Sequence, residues 1–307
     1  MAAKARHHHF VPQHYLRLFS DGQSRDSKIF VTDLERKKRY QTCPRNIGGT
    51  RDFNRVGSAV DDLEKVFADF DSKVAPILKQ MARTRSLPEK ADHRNLLLNF
   101  VALLLVRVPA VRDHFQALHE QTAREAGRLL VSNPDVYRSV MAGVRERHPP
   151  EAPLSPQEEE KRYEEDKRFF EGGDYKITFS HGYFLKYEMD MMDTALHALS
   201  RMRWHLLHSD TEFFVCSDRP VSLVSSDRRS RFVGLATPDA EIVMPIANNA
   251  ALWGAYRGGI ASVSAPDEIV RRANGITLAN GGICIYSRKR SFRYDDGEGT
   301  KTSDSLF

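Results

Sequence analysis

The sequence predicts an α+β fold: a central helical core with a mixed or antiparallel sheet built from the N-terminal and C-terminal segments. Three observations predict it. Apolar residues recur at helical spacing through the middle of the chain. Short β-branched and aromatic runs, bounded by turn residues, collect towards both ends. The two kinds of segment are segregated rather than alternating as βαβ units. With 307 residues, 41% apolar and 28% charged, the chain has material for a full core and reads as a single domain over 1–307.

The opening, His7-His8-His9-Phe10-Val11-Pro12-Gln13-His14-Tyr15-Leu16, places Pro12 in the first turn of a short helix whose apolar side is Tyr15, Leu16 and Phe19. A strand follows at Lys28–Asp33. Val60, Leu63, Phe67, Phe70, Val74, Ile77, Leu78 and Met81 then form the stripe of an amphipathic helix over Ala59–Ala82, which Pro76 should kink or divide. After the break at Leu87–Pro88, residues Leu96–Val106 are apolar nearly all round. They predict a buried helix that Pro109 bends before it runs on towards Leu130.

A proline-rich surface linker near 148–157 precedes an acidic helix, Glu158–Phe170, stopped by Gly172–Gly173. Another helix spans about Tyr183–Arg203. Trp204–Leu207 and Glu212–Cys216 read as a hairpin turning at Ser209–Asp210, and Ile242–Ile246 and Ala251–Tyr256 as two further strands. A helix near Pro266–Ala279 and a last strand, Gly282–Ser287, complete the pattern.

Composition excludes several classes. Leu96–Val106, the longest apolar run, falls well short of the ~20 residues a bilayer span needs. Cys43, Cys216 and Cys284 are widely separated, which argues against a disulfide framework or a zinc ribbon. The N-terminus shows no secretory h-region, so a cytoplasmic location is expected. No P-loop, dinucleotide fingerprint, H-E-x-x-H or G-x-S-x-G element occurs. Net charge is +5 but uneven: residues 1–50 hold ten Lys and Arg against four Asp and Glu, and residues 257–293 seven against two. If the two ends pack together they present a positive face to an anionic partner.

Four residues could carry chemistry. His9 stands just before a helix start, where an imidazole serves as a base or metal ligand, or simply bonds the helix end. Asp218 follows the apolar run Phe213–Cys216; a carboxylate at a strand exit is rigid yet near the surface, suited to a metal or a base, or to an Asx-turn. Glu64 lies on the inward side of its helix and needs a cationic partner. Arg107 ends the buried helix and can pair with Glu64 or Asp218, or face a phosphate.

The H-x-x-P opening (His9 to Pro12) and the run Tyr15, Leu16, Phe19 resemble the family known as domain of unknown function 4238. So do Trp204, the segment Phe214-Val215-Cys216-Ser217-Asp218-Arg219-Pro220, Met244-Pro245-Ile246, and Asn274 with Ile285-Tyr286-Ser287. The order is collinear from about residue 6 to 290, with Asp52-Phe53-Asn54 departing from the aromatic pair expected there. The resemblance implies a fold and positions to test, and no activity.

Two functions are therefore carried forward. One is a nuclease-like phosphodiester hydrolase acting on nucleic acid, within a bacterial defence system. In it His9, Asp218 and Arg107 are catalytic, Asp218, Glu64 and His9 hold a divalent metal (Mg²⁺ or Mn²⁺), and Gln13 and Arg219 contact substrate. The other is a non-catalytic binding or sensing module in which the same set ties the core together. The expectation is that His9 and Asp218 line one polar pocket with Arg107 at its wall, an open cleft if the set is catalytic and a sealed, fully hydrogen-bonded pair if it is structural.

Overall fold

The computed structural model describes residues 7–24, 26–51, 60–148, 154–227, 233–280 and 282–307. The Asp52-Phe53-Asn54 loop, residues 149–153 of the proline-rich linker and the side chain of Glu64 lie outside them. The fold is α+β, and the chain divides into two compact units, residues 1–109 with 181–307, and residues 110–180.

The first unit holds two principal sheets. Strands β1 (His7–His9) and β4 (Gly49–Arg51) make a separate ribbon, followed in chain order from β1 by helix α1 (Gln13–Arg17). Strands β2 (Ile29–Asp33) and β3 (Lys38–Thr42) join β6 (Cys216–Ser217) and β11 (Cys284–Ser287) in an antiparallel sheet of order β3-β2-β11-β6. Both chain ends thus build one sheet. The second sheet, of order β10-β5-β9-β8-β7, contains β5 (Arg203–His208), β7 (Ser222–Ser225), β8 (Ala240–Ala247), β9 (Ala250–Ala255) and β10 (Ala261–Ser264). Only β10, lying parallel to β5, makes it mixed.

The main core packs α1, α2 (Val60–Thr84), α3 (Ala91–Val106) and α7 (His181–Arg201) over these sheets through Tyr15, Phe19, Leu78, Phe100, Leu199, Leu206, Met244 and Tyr286. Helix α8 (Asp267–Ala279) covers the opposite face of the five-stranded sheet, with Val270 and Ala273 against Val243 and Ala251. A third cluster, Val215, Ile285, Phe292 and Tyr294, backs the four-stranded sheet and uses the terminal hairpin β12 (Arg293–Asp295) and β13 (Thr300–Thr302).

The second unit is helical: α4 (Pro109–Ser132, less its first residue), α5 (Pro134–Arg147) and α6 (Pro156–Gly172). Val131, Tyr137 and Tyr163 form its core. Ser155 and Glu158 close a capping box at the start of α6, and Gly173, at φ 70°, ends it. No single helix among the described residues is long and apolar enough to cross a membrane.

Three local expectations need correction. Pro76 does not divide α2, which runs unbroken for 25 residues because Val74, Ile77, Leu78 and Met81 are all locked into the core on one stripe. Pro109 does not bend one long helix. It disfavours helical geometry at Val108, so α3 ends at Val106 and α4 begins afresh. Residues 204–216 are not a hairpin: β5 pairs with β9 and β10, whereas β6 crosses to the other sheet and pairs with β11. The crossing is held by backbone bonds from Ser209 and Phe214 to Asn249 and Asn248, and by the buried Glu212 paired with Arg293.

Candidate functional site

Side chains on a strand alternate between faces, so register decides which residues of the four-stranded sheet stand together. Tyr286 pairs with Val31 and Cys216, and Val31 with Tyr40. Val31, Tyr286 and Cys216 of this row face the core, where Tyr15 lies against Cys216, while Tyr40 at the sheet edge is exposed. One step along the same face stand Asp33 and Cys284, directly paired, and then Asp218, two residues beyond Cys216. There the face leaves the core and reaches the rim of the sheet.

Asp218 is held across the sheet rather than within its own turn. Its backbone N–H donates to the Cys284 carbonyl (3.1 Å), and its Oδ2 accepts from the Ile283 N–H (3.1 Å). The local turn is closed instead by Ser217, whose Oγ donates to the Arg219 carbonyl and accepts from the Arg219 N–H. Asp218 Oδ1 is buried and has no hydrogen-bond partner among the described residues. A Cβ on Gly282 would stand 2.2 Å from that oxygen, so only glycine leaves it room.

Burial raises the Asp218 pKa above the usual carboxylate value, against the lowering pull of the Ile283 and Cys284 backbone and of Arg219. Burial, with Asp218 and Asp33 nearby, pushes the Cys284 thiol up to about 12. The Cys216 thiol and the Tyr286 phenol are raised too, chiefly by burial. These thiols stay protonated at neutral pH, which makes them poor nucleophiles. Of the groups here whose pKa is raised, Asp218 is the carboxylate.

Cations border it. The Leu34 N–H donates to the Ile283 carbonyl (2.9 Å), which sets the β2–β3 turn beside the peptide that holds Asp218. That turn exposes Glu35, Arg36 and Lys37, Lys38 opens β3 beyond it, and Arg219 follows Asp218 directly. Arg36 bonds Asp33 through its backbone N–H (2.8 Å).

The other sequence-predicted residues occupy different places. His9 ends β1, and its Nε2 donates to the Arg45 carbonyl (3.2 Å). Gln13 opens α1 and is half-buried. Arg107, only 4% exposed, caps α3 and lays its guanidinium 3.6 Å above the Phe67 ring of α2, three residues beyond Glu64. Asp218 makes its described contacts with Ile283, Cys284 and their neighbours, and none with His9, Gln13 or Arg107. Among the described residues no three His, Cys, Asp or Glu side chains converge as a metal cluster.

Reasoning from sequence passed over His14 and Asp33. His14 sits beside the apolar stripe of α1, its Nδ1 3.7 Å from Asp71 and its ring 5.7 Å from Phe100. Burial, then the charge of Arg17, lowers its pKa to about 4. The Asp71 carboxylate is too distant and too wet to reverse this. Its position in a five-residue helix beside the apolar Tyr15 and Leu16, both buried, was the available signal.

Other marked positions prove architectural. The Tyr15 hydroxyl donates to the Pro245 carbonyl (2.6 Å), joining the opening segment to β8. Asn274 is fully buried on α8: its Oδ1 accepts from Val215 N–H (3.0 Å), and its Nδ2 donates to the carbonyls of Phe213 (3.0 Å) and Arg293 (2.9 Å). A family model described as "Protein of unknown function (DUF4238)" matches residues 7–291, a span that takes in all of these positions. No curated protein and no solved structure matches the chain.

Proposed function

The chain belongs to that DUF4238 family, whose description assigns no activity, and from the site itself we propose a hydrolase of phosphodiesters, nuclease-like, with Asp218 as its proton-carrying residue. One observation carries this reading: a half-buried carboxylate with one buried, unpartnered oxygen and a raised pKa, near a turn that exposes Arg36 and Lys37 alongside Glu35. A carboxyl group whose pKa burial raises holds its proton more readily than an ordinary carboxylate, and can donate it to a leaving alkoxide and recover it from water. Arg36, Lys37, Lys38 and Arg219 would hold the phosphate and offset charge developing on it. Phosphate contacts of this kind do not read sequence, which fits a nucleic-acid substrate of relaxed specificity.

The unpartnered Oδ1 also suits a divalent cation, and Mg²⁺ or Mn²⁺ dependence is kept as part of the proposal. The acid–base role is placed ahead of it, because a metal site needs further donors that the described residues do not supply around Asp218. His9 and Arg107 are proposed as positioning residues rather than reacting ones, since each is engaged with its own neighbours. That engagement is also what favours the second reading, a non-catalytic binding or sensing module in which these residues are structural.

The test is cleavage of RNA and DNA oligonucleotides and of bis(p-nitrophenyl) phosphate, with Mg²⁺, with Mn²⁺ and with EDTA. Asp218→Asn should lower the rate by about a hundredfold or more, with binding retained. Lys37→Glu/Lys38→Glu should weaken binding and flatten its salt dependence. Oligonucleotide binding without cleavage, unchanged in Asp218→Asn, would establish the binding module instead.

A further inference from the structure

We propose that Tyr40 is the stacking platform for an unpaired base, and that the nucleic acid of the hydrolase reading, on which this rests, is single-stranded.

β3 is the outermost strand of the four-stranded sheet among the described residues. Alternation sets Lys38 and Tyr40 on one face and Arg39 and Gln41 on the other. The second face is occupied: Arg39 donates to the Ser303 carbonyl, pairs with Asp304 (2.6 Å) and lies over the Phe307 ring. The first is open. Lys38 stands opposite Asp33, at the head of the row that continues through Cys284 to Asp218. Tyr40, 42% exposed, ends the neighbouring row that runs through Val31 to Tyr286. Partial burial, then the Cys284 thiol and the Asp33 carboxylate, raises its pKa, so its hydroxyl lies towards the Asp218 row. Among the described residues that hydroxyl has no hydrogen-bond partner, and the ring meets no other ring. Phe169 and Phe307, also exposed, are already stacked on Tyr175 and under Arg39.

The charges beside the ring name its ligand. Lys37 and Lys38 are exposed and have no ion-pair partner among the described residues, and Glu35 is the one carboxylate exposed with them. Arg36 reaches back to Asp33 (3.5 Å) with most of its side chain still in solvent. An aromatic face flanked by cations takes a base and its phosphate together, which is how single strands are held without sequence preference. In a duplex the next pair covers each base face, so a base reaches Tyr40 only from an unpaired segment. Asp218 lies three strand spacings away, about 14 Å. A strand stacked on Tyr40 therefore crosses the sheet by more than one nucleotide to bring a phosphodiester to Asp218.

The full chain is tested by fluorescence anisotropy, as wild type and as Asp218→Asn, with three oligonucleotides of equal length: single-stranded, duplex, and single-stranded with abasic central nucleotides. The intact single strand should bind at least about tenfold tighter than either of the others. Tyr40→Ala should weaken that binding at least about tenfold and leave its salt dependence unchanged, because stacking releases no counterions. Tyr40→Trp should retain or tighten it. If Tyr40→Ala does not fold by circular dichroism, the abasic strand decides the matter on the wild type. Duplex or abasic strands bound as tightly as the intact single strand overturn the proposal, and so does a folded Tyr40→Ala that binds like wild type. Base-dependent binding without cleavage of any phosphodiester overturns the hydrolase reading and leaves the platform standing. Cleavage of bis(p-nitrophenyl) phosphate with no oligonucleotide bound does the reverse.

Discussion

Asn274 and Asp218 are two polar side chains set near the same strand, and they are treated in opposite ways. Asn274 is sealed, and three hydrogen bonds use its amide oxygen and both of its amide protons. Asp218 has one oxygen on a backbone N–H and the other buried without a partner. A buried polar group is costly unless bonded, so the first arrangement builds the fold. The second is a cost the fold carries, and such costs gather where chemistry is done.

The largest test of this contrast is Asn274→Ala. It strands two carbonyls and one N–H inside the protein, and should cost more than about 3 kcal/mol in urea unfolding or prevent folding outright. A loss under about 1 kcal/mol would break the contrast at its architectural end.

His14 supplies a second buried group with an unsatisfied atom, now a base rather than an acid. Its pKa in the folded protein is about 4, below the ordinary 6.5 of the unfolded chain. Between those values the unfolded chain binds the proton and the folded one does not. Stability is therefore complete above pH 6.5 and falls on acidification towards pH 4, at up to about 1.4 kcal/mol per pH unit. His14→Gln should flatten that part of the stability curve.

For Asp218 the sign reverses. Its folded pKa lies above the unfolded value of 3.8, so the folded state holds the proton more tightly. The penalty is in force above the raised value and is relieved as pH falls through it. Asp218→Asn should match or exceed the wild type in stability at neutral pH, with the difference shrinking on acidification. A destabilised Asp218→Asn at neutral pH would make Asp218 a structural residue like Asn274.

Periodicity carried the α+β class, α2, α8, β8 and β9, because those elements have a wholly apolar stripe or run. It did not disclose β1, β3, β4, β7, β10, β12 and β13; all are short, and β3 (Lys-Arg-Tyr-Gln-Thr), β12 and β13 are charged as well, so pairing rather than an apolar run defines them. Asp218 was legible because a carboxylate directly after an apolar strand breaks the pattern of its surroundings. Cys284 and Asp33 were not, because only the register between distant strands places them next to it. No local window of sequence contains that information.

The order β3-β2-β11-β6 has a consequence in time. The β2–β3 hairpin is complete once the ribosome has passed Thr42, but the strand that must lie between β2 and β6 begins at Cys284. While residues 43–283 are made, then, the hairpin's inner edge waits uncovered, and closing so long a loop makes the pairing slow. Ile285 and Tyr286 can insert only after residues 43–283 have been made. The rim that carries Asp218 is assembled by that same insertion, so an incompletely translated chain has neither the sheet nor the site.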